Sequence, residues 1–264
     1  MTAVTAAAYL LARRRDNKLL HCIKPFPVVI LGYVVLLWCS VHSHSHYLTS
    51  IFQLLIPHKP TDYAIYISVG LFLSALGDFF LIFKRFLVIG VLFFLAAHLS
   101  FILAFTADHS NLSNFFTPAT VLCLVSFNLF FVYLFIAKVI PIFITNTPKS
   151  IIVALIFYTC VIVTMCTTAT IKSLSTIFLS DKGLFNWPQF SATLVFYASC
   201  GAIGAVLFFI SDIMILVRAT NDIKGGKSQI STFRKFMGNG DIGMITYWLG
   251  QFCIALSVTS VLSN

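Results

Sequence analysis

Two aspartates stand where aspartate is costly. Residues 71–83 read LFLSALGDFFLIF and residues 204–216 read GAVLFFISDIMIL. Each apolar run holds one carboxylate, Asp78 and Asp212 respectively. A charged side chain at bilayer depth costs at least about 3 kcal/mol. All eight acidic residues of the chain are Asp, and the other six fall in loops or at the ends of apolar runs. Asp78 lies six residues before Lys84 and Asp212 six before Arg218, the first cations of two basic connections. At a rise of about 1.5 Å per residue, both carboxylates lie about 9 Å from the same membrane boundary. Two carboxyl groups in a nearly dry site suit acid–base work, because one can hold a proton while the other stays charged. A single intramembrane Asp also fits a purely structural hydrogen bond. Two at one depth, with other polar groups at that level, favour a site.

Those other groups are few. Tyr158 lies about eight residues into a run that starts at the basic side. Tyr247 and Gln251 share a helix face at i, i+4. His98 and Asn128 fall near the middle of their runs. Taken alone, His98 reads as a satisfied interior histidine and Asn128 as interhelical glue. Together these residues predict a polar pocket open toward one leaflet.

The elements that position them are membrane helices. Apolar types make up 59% of the 264 residues and charged types only 9%, which excludes an ordinary soluble domain. Seven runs have the length and apolarity to span a bilayer, at about 25–41, 63–83, 86–107, 117–137, 150–171, 190–217 and 241–262. The predicted fold is an all-α polytopic membrane bundle, with residues 1–24 as a basic interfacial segment and 25–264 as one transmembrane domain. Residues 2–12 are too short to span alone and read as an interfacial stretch or a degenerate eighth helix.

The net charge of +9 raises nucleic acid as a partner, but its distribution points to topology. Arg13, Arg14, Arg15, Lys18, Lys24, Lys84, Arg85, Lys138, Lys149, Arg218, Lys224, Lys227, Arg234 and Lys235 fall on one side. Only Lys59, Lys172 and Lys182 fall on the other. Fourteen cations against three is a strong positive-inside bias and puts the first set in the cytosol. The sequon at Asn111 then faces away from the cytosol, and 219–240 is a flexible cytosolic loop. Six of the seven cysteines lie within the runs and read as small packing residues. Neither they nor the loop tract His42 to His46 has a convincing metal pattern, so no metal or other cofactor is expected. The small-residue cluster 201–205, GAIGA, predicts close helix packing.

Three segments are similar to the transmembrane lysoplasmalogenase, or YhhN-like, family. They are GLFLSALGDFFLIF at 70–83 with its S-x-x-G-D core, GAVLFFISD at 204–212, and TYWLGQFCIALS at 246–257. Weaker matches are AAHLSFILAF at 96–105 and the spaced set Tyr158, Ile162, Met165 and Ala169. The resemblance implies hydrolysis of the vinyl ether of lysoplasmalogens to a fatty aldehyde and glycerophosphoethanolamine or glycerophosphocholine. It also implies eight helices, where the chain offers seven clear ones.

A vinyl ether is hydrolysed by protonation of its β-carbon, which creates an oxocarbenium ion that water then attacks. Paired carboxylates serve such a cation in glycosidases. The expected catalytic groups are therefore Asp78 and Asp212, with Ser74, His98, Asn128, Tyr158, Ser211, Tyr247 and Gln251 as substrate-binding residues. Lys84, Arg85, Arg218 and the 224–235 cations are within reach of the lipid phosphate. The expected partners are a vinyl-ether lysophospholipid and membrane lipids, with no nucleic acid, and the expected setting is the endoplasmic reticulum membrane. A proton-coupled transporter, or another multi-pass lipid-binding protein, is the alternative for two intramembrane aspartates. A transporter would carry an inverted repeat and broken helices, and neither is visible in the sequence.

Overall fold

The structure, a computed structural model, describes residues 24–43, 62–107, 149–179, 191–223 and 240–262, with scattered positions between 121 and 137. Among the described residues the regular elements are helical: α1 Phe26–Ser43, α2 Asp62–Leu81, a short 3-10 turn Lys84–Phe86, α3 Leu87–Thr106, α4 Lys149–Leu179, α5 Ala192–Ile223 and α6 Gly240–Leu262.

Five of these helices are long and apolar enough to cross a membrane, and the apolar part of α1, Phe26–Trp38, is shorter. The expectation of seven spans is therefore met at five positions. Residues 2–12, and most of the run 117–137, lie outside the described residues. Two ends also differ from expectation. α4 continues past residue 171 to Leu179, so Lys172 is not a loop cation but a buried side chain inside the helix. α5 continues to Ile223, so the loop expected from residue 219 starts with helix. No Pro or Gly interrupts either stretch, and a run of backbone hydrogen bonds continues until something stops it.

The helices close into a ring. Each packs on the next in sequence, and α6 returns to contact both α1 and α2. Large apolar side chains such as Val88, Leu92, Val153 and Phe196 point outward, as a lipid-facing surface requires. Inside, Ile67, Leu71, Phe101, Met165, Phe208 and Ile254 are almost wholly buried.

Small residues set the closest approaches. A Cβ added at Gly204 would come within 2.7 Å of the Gly250 carbonyl oxygen. α5 and α6 thus touch backbone to backbone, as the GAIGA cluster predicts. A Cβ at Gly77 would meet the Phe94 ring at 2.8 Å. The glycine before Asp78 is what lets α3 lie against the carboxylate-bearing turn of α2.

Candidate active site

The two carboxylates face the interior of the ring from α2 and α5, and each has its own partners. Asp78 is 1% exposed and pairs through Oδ1 with Lys24 Nζ at 2.5 Å. Lys24 lies two residues before α1. Pro25 follows it, which disfavours helical backbone at Lys24. The Pro25 carbonyl accepts hydrogen bonds from the amides of Val28 and Val29, both at 3.1 Å, so the helix begins immediately afterwards. α1 packs on α2, and this places its first turn beside the last turns of α2. The lysine expected to be a topology signal is also the ion-pair partner of a buried carboxylate.

Asp212 has a different set of partners. Its Oδ2 accepts a hydrogen bond from the Tyr158 hydroxyl at 2.5 Å. His98 Nε2 lies 3.3 Å from the same oxygen and 3.0 Å from the Tyr158 hydroxyl. With the tyrosine proton directed to the carboxylate, the two oxygens that face Nε2 are both acceptors, which suits a hydrogen on that nitrogen. The other ring nitrogen, Nδ1, faces Met165 Sδ at 3.3 Å. His98 is fully buried, whereas Asp212 keeps 12% of its side-chain surface. Three helices, α3, α4 and α5, contribute one side chain each to this cluster.

Tyr247 of α6 joins the two halves. Its hydroxyl is within electrostatic reach of Asp78, Asp212 and Tyr158, and the two carboxylates also feel each other. Tyr247 OH stands within interacting distance of the Asp78 carboxyl, outside strict hydrogen-bond geometry. Phe208, one turn before Asp212, packs edge-on against His98 at 4.8 Å and Tyr247 at 5.3 Å between ring centroids. Phe94 stands 6.0 Å from the Tyr247 ring. The polar groups therefore sit against aromatic walls that favour an apolar chain over bulk water.

The structure thus brings together Asp78, Asp212, His98, Tyr158 and Tyr247. Ser74 and Gln251 lie one helical turn away from Asp78 and Tyr247, fully buried, with their polar side-chain atoms making no hydrogen bond among the described residues. Ser211 donates instead to the Gly243 carbonyl at 3.0 Å and fastens α5 to α6 beside Asp212. Asn128 lies outside the described residues. Lys24 is the partner of Asp78 that the sequence did not single out. A signal was present, since a lysine directly before a Pro-x-Pro helix start is the last cation before a membrane run. No group of three His, Cys or Asp side chains able to hold a metal occurs among the described residues.

The arrangement can hold and move a proton at two interior carboxylates, and it can place fixed charge beside a reacting centre. Comparison with known proteins agrees in extent. The YhhN family model matches residues 19–258. A protein of Dictyostelium discoideum described as a lysoplasmalogenase homolog is 55% identical over 263 residues, which is 98% of this chain and 84% of the relative. No solved structure matches significantly. With a match that runs from just before Lys24 to beyond the Tyr247 and Gln251 helix turns, the chain belongs to the YhhN family.

Proposed function

We propose that this protein is an integral-membrane hydrolase that cleaves the vinyl ether of lysoplasmalogens. The products are a fatty aldehyde and glycerophosphoethanolamine or glycerophosphocholine, released toward the cytosolic leaflet of the endoplasmic reticulum membrane. The observation that carries the reading is the pair of electrostatically coupled carboxylates, one bound to Lys24 and the other to Tyr158 and His98. The name of the Dictyostelium relative supplies the substrate class.

The asymmetry of partners supports a division of labour. Asp78, in its ion pair, is the standing negative charge. Asp212 is the proton donor. Its Oδ2 already accepts from Tyr158 and faces His98, so a proton that it carries sits on Oδ1. Its residual exposure gives a route for resupply.

In the first step the Asp212 proton moves to the β-carbon of the vinyl ether, and the double-bond electrons form the new C–H bond. The positive charge left on the C–O unit is held against Asp78. Water adds to the cationic carbon and loses its proton to a carboxylate, giving a hemiacetal. The hemiacetal hydroxyl then gives up its proton as the C–O bond to glycerol breaks, and the departing oxygen is protonated. One water is consumed and the site's protons are restored. General acid–base participation contributes about 10²–10⁴ in rate, and preorganised charge beside the cation adds more. The deciding experiment incubates purified protein with lysoplasmenyl-ethanolamine and measures free fatty aldehyde. Intact substrate after prolonged incubation with folded protein would refute the reading.

A further inference from the structure

Below the carboxylates lies a polar layer that the acid–base steps leave without a task. Gln251 is fully buried, and neither its Oε1 nor its Nε2 makes a hydrogen bond among the described residues. Ser74 is fully buried too, with an unbonded Oγ. Two contacts give the relative direction of α2 and α6. Tyr247 lies beside Asp78 near one end, and the Tyr63 and Ser257 hydroxyls meet at 2.7 Å near the other. The two helices are therefore antiparallel. Ser74 is one turn before Asp78 and Gln251 one turn after Tyr247, so both steps run in the same direction. Each side chain therefore lies one turn, about 6 Å, deeper along its own helix than Asp78 or Tyr247.

The turn beyond is apolar, with Leu71 and Ile254 wholly buried. A bare amide and hydroxyl are expensive inside a membrane bundle unless something bonds them. An amide offers one acceptor and two donors, and a serine hydroxyl offers both. The matching ligand is a small O–H group. Asp78, one turn above Ser74 on α2, offers Oδ2 as an acceptor for its proton.

We propose that Ser74 and Gln251 hold the hydrolytic water, which attacks the oxocarbenium carbon from the deep side of the site while Asp78 Oδ2 takes its proton. This rests on the lysoplasmalogen reading above. The chemistry gives such a water a specific purpose. A lysoplasmalogen carries a free glycerol hydroxyl next to its ether carbon. That hydroxyl can attack the same cationic carbon and lose its proton to a carboxylate. The product is a five-membered cyclic acetal, an isomer of the substrate, with no bond to glycerol broken and no aldehyde released. The charged end of the lipid stays toward the membrane boundary, so its hydroxyl lies on the shallow side of the vinyl ether. A water fixed on the deep side reaches the carbon without crossing it.

The test compares wild type, Gln251→Leu and Ser74→Ala on lysoplasmenyl-ethanolamine and on its 2-O-methyl analogue, which cannot cyclise. Products are followed by mass and NMR. Both variants should still consume the natural substrate, with aldehyde falling on the order of tenfold or more and the isomeric cyclic acetal rising to a major product. The 2-O-methyl analogue should be consumed slowly by the variants, without acetal. Slower consumption of the natural substrate with aldehyde as the only product would overturn the water site. So would variants that make no acetal and merely lose a wild-type preference for the free hydroxyl, since that would assign the layer to the substrate hydroxyl. Ser74→Ala removes a single oxygen and carries the test if Gln251→Leu does not fold. Failure of wild type to release aldehyde is a separate result, against the hydrolase reading itself.

Discussion

Asp78 and Asp212 occupy similar apolar contexts at the same distance from a basic connection, yet they end in different company. Asp78 meets a lysine from the head of α1 and is sealed from solvent. Asp212 meets a tyrosine and a histidine from α3 and α4 and keeps a little exposure. The first half of the site resembles a buried ion pair. The second is a hydrogen-bond network around one carboxylate oxygen. A pair of acids becomes chemically useful when such neighbours make the two members unequal, because one must give a proton while the other must not.

The strongest way to break this comparison is to remove each carboxylate. Asp78→Asn and Asp212→Asn should each lower aldehyde release by at least about 10³-fold, with the folded protein still recovered from membranes. Substantial activity in either variant removes that residue from the mechanism.

The ion pair offers a sharper cut. Lys24→Met leaves Asp78 charged and unpartnered in the interior, a change that costs about 3–5 kcal/mol. Thermal unfolding in detergent should show that loss, and turnover should fall on the order of 10²-fold. Adding Asp78→Asn to Lys24→Met should recover much of the stability and none of the activity. If the double variant is no more stable than the single one, the pair is not what holds α1 to α2.

On the other half the expected effect is smaller. Tyr158→Phe keeps the ring and removes the hydrogen bond that steadies Asp212 as it gives up its proton, worth roughly 1.5–3 kcal/mol to the charged carboxylate so formed. Turnover should drop by roughly tenfold to 10²-fold, while stability changes less than in Lys24→Met. An equal or larger stability loss in Tyr158→Phe would reverse the proposed contrast between the halves.

The smallest effect is a solvent isotope effect. If Asp212 protonates carbon in the slow step, the rate in D₂O should fall by a few-fold (an order-of-magnitude expectation for rate-limiting proton transfer). The aldehyde should also carry deuterium at its α-carbon after correction for slow exchange. A chelator should leave turnover unchanged. Aldehyde without α-deuterium would separate the two aspartates from the protonation step.

Much of this molecule was written locally. Long apolar runs cannot stay in water and cannot leave their amides unbonded in lipid, so helices at 63–83, 86–107, 150–171, 190–217 and 241–262 follow from composition alone. The same local logic exposed Asp78, Asp212 and His98, since a polar residue in an apolar run is conspicuous wherever the run folds. Counting residues from the basic ends put Tyr158, Tyr247 and both aspartates at a common depth. The GAIGA cluster marked a close helix approach whose partner, Gly250, it did not name.

Only the tertiary structure decided who meets whom. Helix depth is a one-dimensional quantity that says nothing of rotation or neighbours, so sequence could pair Asp78 with Asp212 but not find Lys24 for the first. Lys24 lies 54 positions from Asp78 along the chain, and its charge was already accounted for by topology. Lys172 misled for the same reason. Counted as a loop cation, it is buried inside α4, because only packing shows where a lysine's long stem and charged end can be housed. The separate settings of two aspartates in similar contexts, and the burial of Ser74 and Gln251, arise from the order in which the described helices close their ring, and no short stretch of sequence contains that order.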